Sequence, residues 1–155
     1  MPFELFKYLH ILTMFAAVAA AMIPEVVLHA TARQGSVAGI QSVSAIVKPI
    51  GMAIPILFIV GLIFGLIAAV VGAIDLLRPW LIASYVVFAV AMITGATLSG
   101  PWAQRVGETA YASPLEAPSA ELQAAVHDRR GIVATAILLT SIVVIIYLMV
   151  FQPGG

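Results

Sequence analysis

A chain of 155 residues that is 63% hydrophobic and 9% charged, where a soluble domain carries about 25% charge, has too little polar surface to stand in water and reads as an integral membrane protein. Seven basic and seven acidic side chains cancel, so no basic surface exists for nucleic acid. The absence of cysteine excludes disulfides, thiolate metal centres, c-type haem attachment and thiol nucleophiles.

A bilayer-spanning helix takes about 20 residues, so the length predicts four spans in a single transmembrane domain over 1–155. The first apolar run, about 5–32, is the most polar, because it holds Lys7, His10, Pro24, Glu25 and His29. Glu4, beside Lys7, and the return of apolar residues at Val26-Val27-Leu28 favour a retained span over a cleaved signal peptide. The second run, about 50–74, is free of charge and bounded by Lys48-Pro49 and by Asp75 and Arg78. Pro79 suits a first helical turn and Trp80 an interface, so a third span over about 80–98 follows in a tight hairpin. Ser99-Gly100-Pro101 reads as its end. A polar stretch then leads to Ser119, the predicted N-cap of a short helix over about 119–130 with Glu121 in its first turn. That helix is expected to project from the membrane, with Leu115, Leu122 and Val126 available to pack on the bundle. The fourth span covers about 131–151 and stops at Gln152-Pro153-Gly154-Gly155.

Short links between four spans predict an all-α, up-down-up-down four-helix membrane bundle. A β-barrel is disfavoured because Ile56 to Ile74 is apolar on every face rather than alternating. Within lipid, helices associate through small residues that let backbones approach. Gly61, Gly65 and Ala69, with Ala68 and Gly72 beside them, form such a face on the second span, and Ala16/Ala20 and Ala17/Ala21 supply one on the first. The expected use of these faces is intramolecular, with a homo-oligomer seam as the alternative. Arg33, Lys48, Arg105, Arg129 and Arg130 fall in the two longer connections, against Lys7 and Arg78 at the other end. That asymmetry predicts a multi-pass protein of the inner (plasma) membrane with both termini outside.

Three histidines and one intramembrane glutamate are the inventory for ligand or proton chemistry. His10 lies near the terminus-bearing end of the first span. His29 and His127 lie near the other end and are expected to approach each other if the first and fourth helices are neighbours, where they could hold haem or a metal. Glu25 precedes His29 by four residues and so shares its helical face. Glu25 and Arg130 are the candidate supporting partners. A site there requires this face to point into the bundle, with His127 or Arg130 in reach, so that Glu25 compensates a buried cation. The hydroxyl residues Ser84, Thr94, Thr97, Thr135, Thr140 and Ser141 read as local helix bonding, and no triad, phosphate loop or paired-carboxylate motif is present.

The start Phe6-Lys7-Tyr8-Leu9-His10, the charged hairpin before Trp80-Leu81, and the ending Leu148-Met149-Val150-Phe151-Gln152-Pro153-Gly154 together resemble small bacterial four-span membrane proteins. These are uncharacterised integral membrane families and, more distantly, the copper resistance protein D membrane domain and the HemJ-type protoporphyrinogen oxidases. The oxidase resemblance implies haem b held by His10. It also implies a lysine after the tryptophan, where this chain has Ser84, so protoporphyrinogen oxidation is not carried over. A copper role would rest on His10, Met14 and scattered methionines. The functional expectation is a non-catalytic interaction or accessory subunit of other membrane proteins, with a haem b- or metal-binding redox protein as the alternative.

Overall fold

Four stretches long and apolar enough to cross a bilayer carry the chain, Pro2–Gln34, Val37–Val71, Pro79–Ala112 and Ala120–Phe151. The structure, a computed structural model, describes residues 2–154, and no strand occurs among them. The first stretch is α1 (Pro2–Gln34) and the second α2 (Val37–Val71). The third comprises α3 (Pro79–Thr94), a π-helical turn (Gly95–Ser99) and α4 (Gly100–Ala112). The fourth comprises α5 (Ala120–Val126) and α6 (Arg129–Phe151).

The turns explain where each element starts. Gly35 adopts φ 72 after α1, a left-handed conformation that suits a residue without Cβ. Ser36 then caps α2 by accepting a hydrogen bond from the Gly39 N–H at 3.1 Å. Between α2 and α3, Ile74 N–H reaches back to the Ala69 carbonyl at 2.9 Å and Asp75 Oδ1 accepts from Leu77 N–H at 2.9 Å. Arg78 and Pro79 open α3 as the proline placement predicted.

Helices α1 and α2 pack along one another, α3 packs along α6, and α4 ties the two pairs together by resting on both α2 and α5. The α1–α2 seam is built on glycine. A Cβ at Gly61 would meet Met14 Sδ at 2.6 Å, one at Gly65 would meet His10 Nδ1 at 2.7 Å, and one at Gly72 would meet Phe3 Cδ2 at 2.7 Å. The GxxxG face is therefore spent within the chain, which buries Ala17 completely on the facing helix.

The molecule has two storeys. At the end bearing the termini, the helices expose large apolar side chains such as Phe15, Ile59, Val86 and Val143, as lipid contact requires. At the opposite, distal end, α4, α5 and the adjoining ends of α1 and α2 enclose a core of Leu28, Ile40, Trp102, Val106, Leu122 and Ala125. Helix α4 buries Trp102, Val106 and Ala110 at four-residue spacing. Its other face exposes Gln104, Arg105 and Glu108.

Two boundaries differ from the sequence reading. The second helix begins at Val37, not near residue 50, because Pro49 and Ala45, whose carbonyl Pro49 leaves unpaired, both lie on the exposed face. The third helix does not stop at 98 but continues to Ala112, Pro101 being taken into the first turn of α4 directly after the π turn. The short helix and the fourth span are separate elements, as the sequence reading had them: α5 ends before His127, and Asp128 recaps the chain by accepting from Arg130 N–H at 3.0 Å. Ser119 is the N-cap of α5, accepting from Leu122 N–H at 3.2 Å. Leu122 is buried while Leu115 remains exposed.

Candidate functional site

Glu25 lies within α1 and is only 8% exposed. Ser99 Oγ, at the end of the π turn, donates to its Oε2 at 2.9 Å, and Thr135 Oγ1 of α6 donates to its Oε1. Thr135 Oγ1 is also 3.1 Å from His29 Nε2. A threonine hydroxyl has one hydrogen. When that hydrogen goes to Glu25, His29 must be the donor to Thr135, so the three groups form a directional chain from imidazole to carboxylate.

The surroundings fix this chain in place. The His29 ring stacks on Trp102 with centroids 4.0 Å apart and planes at 18°, and Trp102 Nε1 donates to the Ala125 carbonyl at 3.1 Å. Gly131 admits the indole: a Cβ there would meet Trp102 Cε2 at 2.5 Å. Three separate stretches, α1, the π turn with α4, and α6, therefore meet at one point. The ion pairs among the described residues are Lys7 with Glu4 at 4.0 Å and Arg105 with Asp128 at 3.7 Å, so Glu25 is met by hydroxyls rather than by a cation.

Of the residues singled out in the sequence, Glu25 and His29 are brought together as their spacing predicted, but Thr135 and Ser99 occupy the place expected for His127 or Arg130. Arg130 is exposed, held through its backbone N–H by Asp128 Oδ1. His127 Nδ1 lies 2.8 Å from the Gln123 carbonyl of its own helix. His29 and His127 nonetheless line one groove of about 360 Å³ beside the network, together with Arg33, Gln123, Val126 and Ile132. Thr135, Ser99 and Trp102 escaped sequence reasoning. Only Trp102 carried a usable signal, as a second tryptophan in an otherwise polar stretch.

His10 lies elsewhere, in the glycine seam. Its Nδ1 is 2.7 Å from the Gly61 carbonyl, and a carbonyl only accepts, so Nδ1 bears the hydrogen and the neutral ring keeps its lone pair on Nε2. That donor chemistry suits a haem iron. His29 is 19 positions further along the same helix, about 28 Å by helical rise, so the two cannot ligate one centre. Among the described residues no group of three His, Asp or Glu side chains is placed to hold a metal ion.

A second groove, of about 400 Å³, runs within the apolar storey between Val86, Val87 and Val90 of α3 and Ala136, Thr140, Ser141 and Val144 of α6. Its lining is largely apolar, with Thr140 and Ser141 the polar members.

Four apolar helices with glycine-mediated contacts, exposed hydrocarbon-facing side chains and a buried polar junction define a polytopic helical membrane protein. Residues 4–153 match the family described as predicted integral membrane protein (DUF2269), and the chain belongs to that family. No curated protein and no solved structure matches it.

Proposed function

We propose that this protein is a non-catalytic accessory subunit that takes a transmembrane helix of a partner into the groove between α3 and α6. The groove carries the reading: Ala136 and Thr140 follow one another at four-residue spacing with Ser141 beside them, and small residues on one helical stripe are what allow another backbone to approach in lipid. The polar junction supports it, because both oxygens of Glu25, the Thr135 hydroxyl, His29 Nε2 and Trp102 Nε1 are all engaged by the chain itself. It acts as a lock between helices. The protein sits in the inner membrane with its distal storey in the cytoplasm and both termini outside, a placement supported by the five basic residues at the distal end against two at the other. Extraction in a mild detergent should yield a particle larger than the 16.3 kDa chain containing a second polypeptide, and Thr140→Leu, which fills the groove, should release that polypeptide. A particle containing this chain alone overturns the proposal.

A second reading, a haem b protein, is favoured by one observation, the His10 tautomer that leaves Nε2 free as a ligand. Haem would supply one-electron chemistry there, and this chain's part would be the Gly61 carbonyl fixing the ring. Absorption near the Soret wavelength after expression with supplemented haem, lost in His10→Ala, would support it, and a colourless preparation would remove it.

A further inference from the structure

We propose that the groove between His29, Arg33 and His127 is a binding site for the phosphodiester headgroup of an anionic membrane phospholipid. Three observations converge. The first is charge: Arg33 lines the groove with no carboxylate among the lining residues, and it takes part in neither of the ion pairs of the described residues. The second is composition, since the rest of the wall is largely apolar, including Ile40, Val126 and Ile132, as the glycerol end of a lipid needs and free phosphate does not. The third is depth. Ile132 lies 19 residues before Phe151 at the terminal end, about 28 Å by helical rise, close to the thickness of one hydrocarbon core.

Ile132 is 55% exposed, so an acyl chain leaving the groove can descend along α6 while the phosphate stays with Arg33. His127 adds a second polar group to the wall, its Nδ1 2.8 Å from the Gln123 carbonyl. Arginine recognises phosphate through a planar fork of donors. Replacement by glutamine keeps length and polarity but removes the charge.

The test uses the full chain in detergent, titrated separately with phosphatidylglycerol, phosphatidylcholine and inorganic phosphate while melting temperature and retained lipid are measured. Phosphatidylglycerol should stabilise the protein saturably and co-purify at about one lipid per chain, with inorganic phosphate ineffective. Arg33→Gln should weaken the phosphatidylglycerol response at least tenfold while leaving the lipid-free melting temperature unchanged. Arg129→Gln, an exposed arginine outside the groove, should bind like the parent protein. Equal loss in both variants would mean diffuse attraction to anionic headgroups and would overturn the proposal. So would an equal response to phosphatidylcholine, or stabilisation by inorganic phosphate alone, which would make the site one for the free anion.

Discussion

At the scale of single residues, the buried carboxylate of Glu25 is stabilised by hydroxyl partners, and this alters what its substitution should do. The sequence suggests that Glu25→Gln strands a buried cation. In the structure, Ser99 and Thr135 can each donate or accept, so a glutamine amide finds partners on both and the change should cost under about 1 kcal/mol. Thr135→Val is the damaging substitution. It keeps the shape but removes the one oxygen that serves both Glu25 and His29, leaving two partly buried polar groups short of a partner, at about 1 to 3 kcal/mol each. Unfolding in mixed micelles should rank the parent, Glu25→Gln and Thr135→Ser close together and Thr135→Val well below them. Equal stability of Thr135→Val would show that the junction contributes nothing. Half of this junction was legible in the chain, since a carboxylate and an imidazole four apart announce a shared face. The other half was not, because a threonine inside an apolar span commonly bonds its own preceding turn, and the Gly131 carbonyl, 2.9 Å from Thr135 Oγ1, competes with Glu25 for the single hydroxyl hydrogen. Only the tertiary approach of α1 gives it a second task.

At the scale of elements, the π turn decides how the third stretch can serve both storeys. Gly100 N–H bonds the Gly95 carbonyl, five residues back, so the helix contains one residue more than an α-helical path would. The widened turn precedes Pro101, and it sets the rotation at which Ser99 meets Glu25 and Trp102 meets His29. Serine, glycine and proline in succession looked like a terminus because each is a poor helix former alone. The helix survives since the proline falls where the ladder is already interrupted. Deleting Ala96 removes that extra residue, and because the π turn closes over five residues where an α turn closes over four, regular α geometry should return with α4 close to its present orientation. Trp102 should then stay on His29 in the distal core, and tryptophan emission should remain that of buried indoles, as for Trp80 in α3 on the other side of the deletion. A shift towards the emission of an exposed indole would show that the deletion turns α4 and that the π turn does more than absorb one residue. Helix existence and type were readable from apolar length, but continuity depended on the face that Pro49 occupies and on the π turn before Pro101, and an apolar segment hydrophobic all round marks neither.

At the scale of the whole molecule, helix length exceeds what a bilayer requires. Helix α2 has 35 residues, about 52 Å against a hydrocarbon core of about 30 Å, and the excess collects at one end, where α4 and α5 cover it. That end combines the larger buried core with an outward polar face of Gln104, Arg105 and Glu108, so it is the part suited to water. Seven basic residues divide five to two in its favour, and lysine and arginine are retained on the cytoplasmic side. The chain's lack of cysteine makes the resulting orientation directly measurable. Glu116→Cys marks the exposed loop between α4 and α5, and Gln152→Cys marks the exposed end of α6. A membrane-impermeant maleimide applied to intact cells should label Gln152→Cys and spare Glu116→Cys until the membrane is opened. Both variants should react in detergent, which shows that neither thiol is hidden by folding. The reverse pattern would place the groove of Arg33 and His127 on the outer face, and any lipid bound there would then be drawn from the outer leaflet.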